Sequence, residues 1–232
     1  MNAEPRYNDI YYERTTSHSQ IIDPIDGHTV ALDKIPAPID WETLFGNTHP
    51  VEIEIGCGKG RFLLEASRLF PHVNYIGVER AQKYIKLTQE RFTKFMHHFS
   101  LDKKSGIFQN VRLAWTDANY FLTRYVPEQS VQVYHIYFPD PWPKVRQQKR
   151  RIFRNKDFLT AIDKTLTLDS GKLYVVTDYA AYFSEILEKI AQHTSLQRVV
   201  LKTEAYKHIA TNFEMKYRSE GRKIYRAVYE NH

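Results

Sequence analysis

The sequence predicts an α/β protein with one mostly parallel sheet and helices on both of its faces. From Val51 onward, short apolar runs alternate with longer amphipathic segments, which is the order of repeated strand–helix–strand units. The first apolar run leads directly into a glycine turn, in the segment VEIEIGCGKG. At 232 residues the chain suffices for one sizeable domain and is short for two with separate cores.

The predicted elements follow in chain order. Residues 1–45 hold four of the ten prolines and little apolar periodicity, so we expect an irregular arm there and a single domain over 46–232. Strands are predicted at 51–55, 73–78, 107–115, 131–138 and 172–176, followed in turn by helices at 62–70, 81–99, 118–125, 157–168 and 179–191. Two last strands, at 196–206 and 223–230, have no helix between them and favour an antiparallel pair joined by the loop TNFEMKYRSEG. The predicted sheet therefore has seven strands.

Composition excludes several classes of protein. With 42% apolar and 26% charged residues, the chain is typical of a globular protein and not of a disordered one. No stretch approaches the roughly 18 apolar residues of a membrane helix, and the N-terminus lacks an apolar signal region, so we expect a cytoplasmic protein without membrane contact. The single cysteine, Cys57, excludes an internal disulfide, and no histidine pair has zinc-type spacing, so no metal is expected. A monomer and a homodimer both remain open.

The glycine turn narrows the kind of ligand. Gly56, Gly58 and Gly60 follow a strand directly and precede a helix, so the backbone there can approach a nucleotide closely. A dinucleotide fingerprint would need a further glycine at Arg61, and the P-loop pattern is absent. Pyrophosphate binding is therefore disfavoured. The alternative is that the glycines form only a tight turn.

Three acids accompany this turn. Glu79 closes the second strand, while Glu54 lies in the first strand and Asp117 follows the third. Open α/β sheets bind ligands at the carboxyl ends of their strands, and an acid after the second strand can accept hydrogen bonds from ribose hydroxyls. Three carboxylates suit a ligand with an ammonium, a sulfonium and an adenine amino group, as in S-adenosylmethionine. The pattern resembles Rossmann-like methyltransferases, which implies Glu54 at the methionine end, Glu79 at the ribose and Asp117 at the adenine.

A dense basic run lies further along, in FPDPWPKVRQQKRRIFRNK, residues 138–156. Without its seven positive charges, the net charge of the chain would fall from +6 to −1, so the basic character is local. Such a cluster indicates a polyanionic partner, since without one its charges would only repel each other. The alternative is a solvated surface. The seven residues are Lys144, Arg146, Lys149, Arg150, Arg151, Arg154 and Lys156.

Asp140 stands at the edge of this run, at the carboxyl end of a predicted strand and between two prolines that restrict its backbone. A ring nitrogen such as guanine N7 has a lone pair and no proton to remove, so one carboxylate that stabilises the developing positive charge could suffice. Phe138, Trp142 or Phe213 could stack on a flipped base, or could simply belong to the core. Asp140 could instead only cap its loop.

Two segments carry a closer resemblance. FPDPWPK followed by RxxKRR, with the distal TNFEMKYRSEGRKI, resembles the bacterial tRNA (guanine-N7)-methyltransferases from about Val51 to Tyr229. The resemblance implies a Rossmann-like methyltransferase fold and methyl transfer from S-adenosylmethionine to a guanosine of the tRNA variable loop, nucleotide 46. Asp140 would be catalytic and lie beside the cofactor, and Gly56 and Gly58 would contact the cofactor. The implied substrate contacts are Lys144, Asp178, Thr211, Asn212, Phe213 and Glu214. The implied RNA contacts are Arg146, Gln147, Gln148, Lys149, Arg150 and Arg151, with Gln147 where many members have His.

Two other functions remain open from the residues. One is methylation of another RNA base or of an amine, although Asp140 is separated from Trp142 by a single proline, where DNA amino-methyltransferases have two. The other is an RNA-binding module of the same fold whose cofactor site is inactive. The four acids at Glu54, Glu79, Asp117 and Asp140 argue against an inactive site.

Overall fold

The computed structural model describes residues 18–200, 206 and 209–232, and within them one sheet of nine strands. The strands are β1 (Gln20–Ile22), β2 (Thr29–Ala31), β3 (Val51–Ile55), β4 (Asn74–Glu79), β5 (Val111–Trp115), β6 (Val131–Tyr137), β7 (Lys172–Thr177), β8 (Gln197–Val199) and β9 (Tyr225–Glu230). The strand order is β2-β1-β5-β4-β3-β6-β7-β9-β8, with β3 to β7 parallel to one another and β9 antiparallel to both β7 and β8. The mostly parallel sheet and the antiparallel C-terminal pair are thus confirmed.

Helices cover the sheet above two apolar cores. The helices are α1 (Trp41–Phe45), α2 (Arg61–Leu69), α3 (Gln82–His98), α4 (Ala118–Arg124), α5 (Lys156–Thr165), α6 (Ala180–His193) and α7 (Asn212–Ser219). One core holds buried residues of α4, α5 and α6, and the other holds buried residues of α2 and α3. No helix in the described part of the chain is long and apolar enough to cross a membrane.

The N-terminal segment differs from the irregular arm that its prolines predicted over 1–45. Residues 1–17 lie outside the described residues, but β1 and β2 form a hairpin whose first strand pairs antiparallel with β5, with Ile21 opposite Ala114. This hairpin raises the strand count of the sheet from seven to nine. It covers backbone groups that β5 would otherwise expose at a sheet edge. Three-residue strands are too short to show a sequence period.

The C-terminal segment also differs from the expected loop, because TNFEMKYRSEG contains helix α7. Thr211 is its N-cap, and the Thr211 side chain accepts a hydrogen bond from the backbone N–H of Glu214. Thr or Ser followed three residues later by Glu is the sequence signature of such a cap, so the helix start was detectable. The predicted strand at 196–206 is described only as β8, since residues 201–205 lie outside the described part.

Candidate active site

The glycine turn after β3 borders open space. Gly56 has φ +75° and its N–H donates to the carbonyl of Val78 over 2.8 Å, which fixes the turn against β4. A Cβ placed on Gly56 would meet no described atom within 4 Å, so a ligand has room beside this backbone. Gly58, with φ +54°, is held from behind by the hydroxyl of Thr88, which donates to its carbonyl over 2.9 Å. The turn is therefore rigid and accessible on one side.

Glu54 is a buried carboxylate whose Oε2 has no hydrogen-bond partner among the described residues. Burial raises the pKa of this carboxyl well above its ordinary value, and the negative charge of Glu79 raises it further. A buried acceptor without a donor is costly unless a ligand satisfies it. The position of Glu54 at the end of β3 fits a ligand that brings a cationic hydrogen-bond donor.

Glu79 lies over the glycine turn at the end of β4. Its two oxygens accept hydrogen bonds from the N–H of Gly58 over 3.1 Å and from the N–H of Ala81 over 2.8 Å. Burial raises the pKa of the Glu79 carboxyl, and the nearby charge of Asp140 contributes to the rise. Each carboxylate oxygen has a second lone pair, so both can still accept from a ligand hydroxyl.

Asp117 follows β5 and caps helix α4. Its Oδ1 accepts a hydrogen bond from the N–H of Tyr120 over 3.2 Å, and the residue is half-buried. The cap fixes the carboxylate at the same edge of the sheet as Glu54 and Glu79, because β3, β4 and β5 are parallel neighbours. The fold therefore brings the three sequence-predicted acids to one edge.

Asp140 is exposed in the loop after β6, close enough to Glu79 for the two charges to interact. Two non-glycine residues of this loop have left-handed backbone, Phe138 with φ +52° and Trp142 with φ +39°. The N–H of Phe138 donates to the carbonyl of Val176 over 2.7 Å and ties the loop to β7. Strained residues persist only where the surroundings hold them, and they concentrate at functional sites.

Two short 3-10 segments, Val145–Arg150 and Ile152–Arg154, hold four of the seven basic residues of the run. Arg151 and Arg154 both form ion pairs with Glu185 of α6, so two of the seven basic side chains share one carboxylate. The other five are exposed, and none has an acidic partner within 4 Å among the residues that the structure describes. We call these five the cationic surface: Lys144, Arg146, Lys149, Arg150 and Lys156.

Arg151 differs from its neighbours in the run. Its side chain is only 3% exposed and its guanidinium lies 4.7 Å from the ring centroid of Tyr182. Its Nε donates to the carbonyl of Pro141 over 2.8 Å, and its Nη1 donates to Glu185. This burial leaves almost no surface for the RNA contact that the resemblance implied for Arg151. The sequence does not reveal this burial, because the acid that pairs with Arg151 lies 34 positions further along the chain.

Gln147, Gln148 and Asp178 are also positioned by the fold. Both glutamines are half-buried, and Oε1 of Gln148 accepts from Arg154 over 3.1 Å. Asp178, after β7, accepts a hydrogen bond from Arg222 over 2.8 Å in an ion pair. A ligand that uses Asp178 would share it with this arginine.

The first turn of α7 holds four predicted substrate contacts with different exposures. Thr211 is buried as the N-cap, and Asn212 is half-buried. Phe213 is 49% exposed and its ring centroid lies 6.2 Å from that of Phe138, beside the Asp140 loop. Glu214 is buried and accepts hydrogen bonds from Arg218 of α7 and from Arg226 of β9. It therefore fixes α7 to β9. Phe213 thus offers the exposed aromatic face of this group.

A buried polar network beneath the site was missed by sequence reasoning. The Tyr206 hydroxyl donates to the Glu52 carboxylate, with oxygen distances of 2.5 and 2.7 Å, and Nε2 of His135 lies 2.8 Å from the same carboxylate. Nδ1 of His135 is 2.9 Å from the hydroxyl of Tyr137. The network fastens Tyr206, close to the start of α7, onto the sheet. The sequence signal for this network is Glu52, an acid within the apolar run of β3.

The strand order, the glycine turn after β3 and the acids at neighbouring strand ends define the chain as a methyltransferase of Rossmann-like fold. Solved structures of the same architecture include the aminoglycoside resistance methyltransferase NpmB1, with 14% identity, TM-score 0.58 and coverage of 92% of this chain and 100% of that one. An antibiotic-related methyltransferase gives 19% identity, TM-score 0.59 and coverage of 91% and 99%. At such identities these likenesses concern the fold alone.

Sequence relatives specify the family. The family described as putative methyltransferase matches residues 48–227. A tRNA (guanine-N(7)-)-methyltransferase of Enterococcus faecalis is 32% identical over 190 residues, covering 80% of this chain and 82% of the relative. One of Streptococcus gordonii is 32% identical over 208 residues, covering 87% and 91%. The chain belongs to the tRNA (guanine-N(7)-)-methyltransferase family, which confirms the resemblance found in its motifs.

Proposed function

We propose that the protein transfers a methyl group from S-adenosylmethionine to N7 of the guanosine at nucleotide 46, in the variable loop of tRNA. The observation that carries this proposal is the position of Asp140 between the acidic edge of the sheet and the cationic surface. A ligand of the acidic edge and a polyanion on the cationic surface would therefore meet at one carboxylate. A tRNA substrate implies that the enzyme acts in the cytoplasm.

The residues of the acidic edge fit this cofactor. The orphaned Oε2 of Glu54 suits the α-ammonium of the methionine moiety, and the remaining lone pairs of Glu79 suit the ribose hydroxyls. Asp117 can accept from the adenine amino group, while Gly56 and Gly58 leave the backbone open to the ligand. When bound, S-adenosylmethionine supplies a methyl group activated on a sulfonium.

Asp140 would act on the guanine. N7 carries a lone pair, so no general base is required, and the ring gains positive charge as the methyl group arrives. A carboxylate about 4 Å from that charge stabilises it by about 4 kcal/mol at an effective dielectric constant near 20. Phe213 presents an exposed ring beside the same loop, where it can stack on the base. Lys144 and Asp178 flank the loop and would contact the substrate.

The cationic surface would hold the RNA backbone. Its lysines and arginines have no acid to neutralise them among the described residues, so phosphates are their natural partners. Phosphate contacts give affinity and register but do not read base identity. Selection of one guanosine therefore falls to the loop of Asp140 and to the first turn of α7.

Incubation with radiolabelled S-adenosylmethionine and unmodified tRNA, followed by nucleoside analysis, tests both the substrate and the atom. The expected product is 7-methylguanosine, and the tRNA should break at that nucleotide after mild borohydride and aniline treatment. Label in any other nucleoside would refute the proposal. Asp140→Ala should abolish turnover while S-adenosylmethionine and tRNA still bind, and normal turnover would remove Asp140 from the catalytic role.

A further inference from the structure

The backbone of the loop that carries Asp140 needs external support. Phe138 and Trp142 both have left-handed backbone, on either side of Asp140. Prolines at 139, 141 and 143 have no N–H, so this part of the loop has few donors with which to hold itself. The contact of Phe138 with Val176 fixes the start of the loop only. A hydrogen-bond donor from another part of the chain must therefore hold the centre of the Asp140 loop.

Arg151 supplies that donor. Its Nε donates to the carbonyl of Pro141, the residue directly after Asp140. The rest of the guanidinium is held by the Glu185 carboxylate and by the ring of Tyr182, both on α6. A planar guanidinium that also pairs with Glu185 and packs on Tyr182 has little freedom to move, so the carbonyl of Pro141 is fixed relative to α6.

We propose that Arg151 is a positioning residue that fixes the Asp140 carboxylate for methyl transfer, an inference that rests on the proposed function. Arg151 does not touch the substrate, because its side chain is buried. It acts through the Pro141 carbonyl, one residue from Asp140. A misplacement of about 1 Å in such a site can cost about a hundredfold in rate. The basic run thus has two roles, RNA contact by its exposed members and loop support by Arg151.

Arg151→Lys is the sharpest test. The variant keeps the charge near Glu185, but one ammonium cannot reproduce the planar fork that reaches Glu185 and Pro141 together. We expect kcat at saturating tRNA and cofactor to fall at least tenfold, with the Kd values for tRNA and S-adenosylmethionine changed less than threefold. Arg124→Lys is the matched control: Arg124 is exposed in α4, with its guanidinium 6.0 Å from the ring centroid of Tyr125, and its substitution should leave kcat unchanged.

The outcomes separate the two proposals. If the unsubstituted enzyme does not methylate tRNA, the proposed function fails. If it does, and Arg151→Lys keeps kcat or weakens tRNA binding instead, the positioning role is overturned. Should Arg151→Lys not fold, Glu185→Gln carries the test, because it keeps a hydrogen-bond acceptor and removes the charge that anchors Arg151. Its kcat should then fall about threefold with an unchanged Kd for S-adenosylmethionine and tRNA binding no weaker than before, since the substitution also releases Arg154. An unchanged kcat would overturn the proposal.

Discussion

The salt dependence of tRNA binding should correspond to five phosphate contacts rather than seven. The run contains seven basic residues, but Arg151 and Arg154 are both paired with Glu185. Each phosphate contact contributes about 0.7 to 0.9 to the slope of log K against log salt, so five contacts give a slope of about −4. Affinity should therefore fall about 250-fold between 50 and 200 mM salt.

The perturbation is the double substitution Lys149→Ala with Arg150→Ala, which removes two exposed members of the cationic surface. Three contacts should remain, with a slope of about −2.5 and a loss of about 30-fold over the same salt range. Arg154→Ala should leave the slope almost unchanged, because Arg154 is already paired with Glu185. Lys104→Ala, an exposed lysine in the loop before β5 and thus at the opposite edge of the sheet, is the control.

Fluorescence anisotropy with labelled tRNA at four or more salt concentrations measures these slopes. A slope near −6 for the unsubstituted protein would mean that all seven cations engage phosphates and that the ion pairs with Glu185 open on binding. Equal flattening by Arg154→Ala and by the Lys149 and Arg150 substitutions would refute the division of the run into unpaired and paired members.

Two further perturbations test the glycine turn and the buried acid. Gly60→Ala should destabilise the protein by about 3 kcal/mol, or roughly 6 to 12 °C in melting temperature, because Gly60 has φ +64° and an added Cβ would lie 2.3 Å from Cγ2 of Thr88. Gly46→Ala, with φ +72° and no described atom within 4 Å, should cost only the strain of about 1 to 2 kcal/mol, and equal losses would contradict the Thr88 contact. Burial raises the pKa of Glu54, and a bound ammonium favours its ionised form, so calorimetric affinity for S-adenosylmethionine should rise with pH until that raised pKa is passed. Glu54→Gln should bind weakly and without this dependence, whereas a flat profile in the unsubstituted protein would exclude Glu54 as the ammonium ligand.

Much of the site was predictable because its residues lie at strand ends. Once β3, β4 and β5 are recognised as parallel neighbours, Glu54, Glu79 and Asp117 must share one edge. The position of Thr211 and Glu214 between two predicted strands predicts a loop, whereas their spacing is that of a helix cap. The loop prediction is wrong because the connection between the two strands itself contains a helix.

The other omissions depend on long-range pairing. The hairpin of β1 and β2 forms because β5 offers an open edge. A local pattern of three residues cannot predict that pairing. The Glu52, His135 and Tyr206 network joins residues separated by 83 and 154 positions. Such contacts arise only when the sheet brings distant segments together.

The sequence by itself determined the class of fold, the family and the local positive charge of residues 144–156, since these follow from periodicity, motifs and composition. Only the tertiary structure decided which of those charges are available. Glu185 lies on α6, beyond the basic run along the chain, and the packing of that helix beside the run buries Arg151 and pairs Arg154. The charge of a side chain is a property of its residue type, but its exposure and its partners are properties of the folded chain.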